Sequence, residues 1–191
     1  MTKYILIFIL LIMVTIHHQR VLFIGDSLTT FEYGWQQKLS KSKEFQCFNL
    51  SQGGKKTSWM LQRFKENIDS GNHYSRVYIY GSINDIFGGK SPDIAISNIQ
   101  KMVNLALQNK IDPIIVLGYD PKILMDTISY THKSYIKEYS NLQKRIKSEV
   151  FGAYIIDVCP LEKSDSYDGV HLNEIGTEKF YKWIYLHDKK I

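Results

Sequence analysis

The amino-acid sequence predicts an α/β fold in which a five-stranded parallel sheet is covered by helices on both faces. From Arg20 onward, short runs rich in Val, Ile, Leu and Tyr alternate with segments of helical length. Strands of that composition, separated each time by a helix, fit a parallel sheet buried on both sides. The 191 residues also hold no repeat, low-complexity tract or internal linker. One domain with a single core accounts for them.

At the N-terminus stands "YILIFILLIMVTI", an unbroken apolar run from Tyr4 to Ile16 behind Lys3. It falls short of the ~20 residues that span a bilayer and fits a signal-peptide core of ~7–15. No small-x-small cleavage site follows, since His17, His18, Gln19 and Arg20 come next. The run reads as a removed leader or an uncleaved signal anchor, with a buried helix or strand as the alternative. Residues 1–19 are therefore set apart from a domain spanning 20–191. An exported or membrane-anchored location is expected, with membrane attachment through residues 4–16.

The strands follow in order. "RVLFIG" (20–25) is expected as β1, "EFQCFNL" (44–50) as β2, "RVYIYGS" (76–82) as β3, "DPIIVLG" (112–118) as β4 and "AYIIDV" (153–158) as β5. The clearest helix is "PDIAISNIQKMVNLALQNK" (92–110). There Ile94, Ile96, Ile99, Met102, Val103, Leu105 and Ala106 largely follow a 3.6-residue stripe. Pro92 and Asp93 suit its first turn. Further helices are expected over about Ser129 to Glu149 and about Asn173 to His187. Five βα units predict a flavodoxin-like, doubly wound sheet of order 2-1-3-4-5. In such a sheet all the strands end along one edge, and ligands bind there.

Composition narrows the partners. The net charge of +5 is moderate, and Lys and Arg are scattered. With no basic stripe interleaved with aromatics and no known motif, nucleic-acid binding is not expected. The charge reads as a solvated basic surface that leaves room for anionic glycans or lipid headgroups. Cys47 and Cys159 have no metal-ligand spacing with any histidine pair. They fall at the ends of β2 and β5, opposite edges in the expected order and too far apart for a disulfide. Both are read as buried thiols, and neither a metal nor a cofactor is expected.

Three turns meet at the expected binding edge. After β1 comes "GDSLT", after β2 "NLSQGGKKTS" and after β3 "YGSINDIFGG". Ser27 offers a hydroxyl at a strand-to-helix turn. Gly53 and Gly54 let backbone amides approach a substrate, and Asn84 adds a neutral side-chain donor. Donors converging near a nucleophile are what a developing oxyanion requires. The base comes from "YDGVHLNEIG", where His171 follows Asp168 by three residues, a spacing that can set a carboxylate beside an imidazole. About 10 residues from the end of β5 extend at most ~33 Å, and the crossing to β1 is ~14 Å. Two rival motifs fail. A nucleophile elbow needs glycine where Thr29 stands, and a phosphate loop needs glycine where Asn49 stands and Ser or Thr where Lys56 stands.

Together these blocks resemble the SGNH hydrolases of the GDSL esterase/lipase superfamily. "FIGDSLT" matches the first block, and Asn49, Gly54, Thr57 and Ser58 the second. "GSIND" matches the third with Ser82 where glycine is usual and Gly81 one place early. Asp168 and His171 match the last, with Leu172 replacing the frequent proline. The resemblance covers about Val21 to Phe180. It implies a metal-independent ester hydrolase in which His171 deprotonates Ser27 and Asp168 orients His171. The oxyanion would be held by the backbone N–H groups of Ser27 and Gly54 and by the Asn84 amide. An acyl-serine intermediate would follow, with Asp26 and Asp85 tying their turns.

The expected substrates are short-chain or O-acetyl esters, as small molecules or on glycans. Two alternatives stand beside this. One is lipid, lysophospholipid or thioester hydrolysis, with Ile123, Leu124 and Met125 of the loop after β4 lining an apolar groove. The other is an inactive glycan-binding relative, whose signature, a lost catalytic residue, is absent. Transfer to a second sugar in place of water is also open, and the oligomeric state is not legible.

Overall fold

The protein is seen in a computed structural model that describes residues 19–30, 34–120 and 133–188. The apolar run Tyr4–Ile16, residues Ile123 to Met125 and the expected helical start at Ser129 lie outside them. β1 (Arg20–Gly25) runs between β2 (Gln46–Asn49) and β3 (Arg76–Tyr80). β4 (Asp112–Val116) and β5 (Tyr154–Ile156) complete a five-stranded sheet of order 2-1-3-4-5 in which every pairing is parallel. The flavodoxin-like order predicted from sequence is the one observed.

The helices are α1 (Ser27–Thr30), α2 (Trp35–Lys43), α3 (Thr57–Asp69), α4 (Ile83–Phe87), α5 (Pro92–Gln108), α6 (Lys133–Glu149) and α7 (Glu174–Asp188). α2 packs on α7, while α3 packs on α5 and α5 on α6. Val21 to Ile24 are all fully buried, so consecutive residues of β1 are covered from both sides. On the α2/α7 face Phe23 and Tyr78, paired in register, stack at 4.9 Å. Trp35 of α2 and Phe180 of α7 close over Tyr80 beside them. On the other face Ile79, Ile99, Ile115 and Ile146 meet.

Three expectations are corrected. β2 starts two residues late because Glu44, at φ 55° and ψ 35°, closes α2 in the left-handed region. In α5 the buried stripe starts from Ala95; Ile94 is 46% exposed and Leu105 half-buried. The inner phase also holds Asn98, whose amide donates to Thr57 Oγ1 at 3.1 Å. Cys47 and Cys159 are free and on opposite edges, but Cys47 is only half-buried because an edge strand has one neighbour. Burial pushes the Cys159 thiol up to about 12.

Candidate active site

β1 ends where its neighbour leaves no room for a side chain. A Cβ on Gly25 would lie 2.1 Å from the Tyr80 carbonyl oxygen. Glycine lets β3 pass at that distance, and Thr29 Oγ1 donates to the same carbonyl at 3.1 Å. The chain then turns into α1. The buried Asp26 accepts the Leu28 N–H at 3.0 Å, an Asx turn that leaves Ser27 at the sheet edge.

The loop after β2 is laid along this turn. Leu50 N–H donates to Phe23 O and Gln52 N–H to Gly25 O. Asn49 donates to Thr29 O at 3.0 Å and accepts Ser51 N–H at 2.9 Å. A Cβ on Gly53 would reach only ordinary contact with Ser27 Cβ, 3.6 Å. Gly54 follows with φ +72°, a conformation glycine adopts without strain. Thr57 then opens α3, giving its N–H and hydroxyl to Asp85 at 2.9 and 2.7 Å. Asp85 thus ties the second loop to the third. The expectation that it would tie its own turn is corrected, since both of its oxygens are taken by Thr57 of the second loop. Asp26 does tie its own turn, and the third loop as well.

After β3, Ser82 takes φ 130° and ψ −15°, where a side chain is strained. Asn84 follows, half-buried. Its Nδ2 donates to Asp26 Oδ2 at 3.1 Å and to the Lys55 carbonyl at 3.3 Å. Both amide hydrogens are engaged. Burial pushes the Asp26 carboxyl up to about 6, against the pull of the Leu28 and Ser82 N–H groups, the Asn84 amide and the His171 charge.

The fourth segment is a tight loop just before α7. Ser166 Oγ donates to His171 O at 2.7 Å, Gly169 N–H donates to Ser166 Oγ, and Tyr167 N–H closes on His171 O. Beneath it the buried Asp165 holds Lys179 of α7 at 2.8 Å, and the Tyr119 hydroxyl donates to the Val170 carbonyl. Asp168 accepts the N–H groups of Val170 and His171 at 2.8 and 2.6 Å. Its other oxygen lies 2.6 Å from His171 Nδ1. Burial works to raise Asp168, but the His171 N–H and ring and the Val170 N–H outweigh it and hold the carboxyl below its usual range. His171 Nε2 is 3.0 Å from Ser27 Oγ. A carboxylate only accepts, so in the neutral ring Nδ1 carries the proton and Nε2 turns its lone pair to the serine.

Ser27, Asp168 and His171 thus stand in hydrogen-bond contact across 144 residues of sequence. Gly54 adjoins Gly53, where an added Cβ would lie 3.6 Å from Ser27 Cβ, and Asn84 reaches the carboxylate of Asp26 next to Ser27. Sequence reasoning missed the engagement of Asn84 by Asp26 and Lys55, and Tyr167, which stacks on the imidazole at 5.7 Å. The position of Tyr167 just before Asp168 was the one available signal for it. Among the described residues no group of three or more His, Cys, Asp or Glu side chains is arranged to hold a metal, and no helix is long and apolar enough to cross a membrane.

Comparison with known proteins fits this geometry. Comparison with curated proteins found no match. Solved structures match over most of the chain. A GDSL-like lipase from Bacteroides thetaiotaomicron VPI-5482 superposes with a TM-score of 0.71 at 21% identity, covering 91% of this chain and 89% of that one. The psychrotrophic esterase EstA from Pseudoalteromonas sp. gives 0.69 at 17% identity, covering 90% and 97%. Axe2, an acetylxylan esterase from Geobacillus stearothermophilus, gives 0.69 at 14% identity, covering 88% and 93%. At these identities the likeness is one of fold. The family profile reaches further, matching residues 23–179, from β1 to the middle of α7. The chain belongs to the GDSL-like Lipase/Acylhydrolase family.

Proposed function

We propose that the protein is a serine ester hydrolase that works through an acyl-serine intermediate. One observation carries this, the unbroken contact from Asp168 through His171 to Ser27 at 2.6 and 3.0 Å. Nε2 takes the Ser27 proton as Oγ attacks the ester carbonyl carbon. The carbonyl electron pair moves to oxygen, where the N–H groups of Ser27 and Gly54 and the Asn84 amide receive it. As the intermediate collapses, the leaving alkoxide takes the proton from Nε2. Water then attacks the acyl-serine with Nε2 again as base, releasing the acid and restoring Ser27. Asp168 stays ionised and stabilises the imidazolium formed in each half. An oxyanion is a stronger acceptor than a peptide carbonyl. It therefore draws the Asn84 hydrogen that rests at 3.3 Å on Lys55 O.

Short acyl esters, O-acetyl groups on glycans among them, are the proposed substrates. The likeness in fold to an acetylxylan esterase supports that choice, as does the apolar N-terminal run, which favours an extracytoplasmic setting. The test is hydrolysis of p-nitrophenyl acetate in EDTA-containing buffer by wild type and Ser27→Ala. Wild type should turn over, and the variant should lose at least about a thousandfold in kcat. A fluorophosphonate should label only the wild type. Equal rates in the two proteins would refute the proposal.

A further inference from the structure

A cleft of about 570 Å³ opens beside the imidazole. At its inner end stand His171 and Leu28, and its floor is Tyr80, Tyr119, Trp35 and Phe180. Gln37, Lys38 and Lys41 of α2 and Glu174 and Thr177 of α7 form its rim. The volume lies within the range of small-molecule sites and far exceeds what an acetyl group fills.

Resting on the esterase reading, we infer that this cleft binds the leaving alcohol of the ester, and that this alcohol is bulky and ring-bearing, with an apolar face. The side of the site decides which half of the substrate enters. The carbonyl oxygen must face Gly54 and Asn84, neither of which lines the cleft. The leaving oxygen must collect its proton from Nε2 of His171, which does line it. The group attached to that oxygen therefore extends on the imidazole side, toward Leu28 and the aromatic floor. Aromatic walls favour a flat or cyclic occupant, and the charged rim stays in water.

The test holds leaving-group chemistry constant by using acetates of primary alcohols: ethanol, cyclohexylmethanol and 2-naphthylmethanol. A second series keeps ethanol and lengthens the acyl group from acetyl to decanoyl. The alcohol series should raise kcat/KM at least about tenfold from ethyl to 2-naphthylmethyl, as added apolar contact in a pocket does. The acyl series should not. Thr177→Trp, with Gln37→Trp as a second plug from the facing helix, should bring the 2-naphthylmethyl to ethyl ratio down to about that of an open surface. A flat alcohol series, or a gain along the acyl series that the plugs remove, overturns the assignment. Calorimetric binding of 2-naphthylmethanol to Ser27→Ala separates the two layers. Binding that the plugs abolish, with no hydrolysis by wild type, would sink the esterase reading and keep the cleft as a ring-binding site. No binding together with active hydrolysis would sink the cleft alone.

Discussion

At Ser82 the backbone sits at φ 130° in a buried position next to Asn84. That conformation costs a residue with a side chain of order 1–3 kcal/mol. It aims the Ser82 N–H at Asp26 and lets the Ser82 carbonyl accept from Asp85. A glycine would hold this φ without strain, so Ser82→Gly should stabilise the protein by about 1 kcal/mol after the entropy glycine loses on folding. The urea midpoint checks it, and a lower midpoint would mean the serine side chain contributes something that outweighs the strain. Asp26 carries the opposite kind of tension. Its folded pKa of about 6 stands above the ordinary 3.8, so the folded state holds this proton more tightly. The resulting stability is complete below pH 3.8 and is lost as pH rises through 6. It amounts to about 3 kcal/mol. The unfolding free energy of wild type relative to Asp26→Asn should therefore fall by most of that amount, about 2 kcal/mol, between pH 4 and pH 7. A difference that stays level across this range would contradict the burial account. Ser27, Asp168 and His171 were legible because local blocks carry them. The second grip on Asn84 was not, since it comes from a main-chain carbonyl that has no residue signature.

Among the elements, β1 was read to its last residue because its apolar run and its Gly25 stop are both local. The stripe of α5 was read rightly at Ile96, Ile99, Met102, Val103 and Ala106, but its start was placed one residue early. Ile94 is the more apolar residue, yet Ala95 is the one that is buried, and Asn98 on that inner side already has its partner in Thr57. Packing decided what periodicity left open. α1 and α4, four and five residues long, are too brief for any period and exist because strand ends and loop contacts hold them. The cleft was also invisible, since its two walls come from α2 and α7, far apart in sequence. The start of α3 depends on one carboxylate. Asp85→Ala would strip the partners from the Thr57 N–H and hydroxyl, a buried pair, and should cost about 2–4 kcal/mol. It should also lower kcat, because Gly54 lies three residues before that helix. Calorimetric melting and the acetate assay check both effects, and a variant with the wild-type melting point would remove Asp85 from this role.

Across the whole molecule, chemistry and anchoring occupy opposite edges of the sheet. At the edge away from Ser27, the buried Asp188 at the end of α7 takes Arg76 at 2.9 Å, the Tyr78 hydroxyl at 2.5 Å and Lys43 at 2.7 Å. Removing one side of such a buried pair leaves a stranded charge, so Asp188→Ala should cost about 3–5 kcal/mol. The protein that remains folded should keep its kcat, since no atom of this cluster is near the reacting groups. A fall in kcat in proportion to none of the lost stability would show that the bottom edge shapes the site. α7 connects the two ends. Its 15 residues span about 22 Å, with His171 just ahead of its first turn and Asp188 at its last. The helix is in effect a strut bolted at both ends, one bolt holding the loop of His171 and the other the foundation. Heating cannot slacken one bolt and spare the other, so inactivation and global melting should share a single midpoint, with no folded but idle enzyme in between.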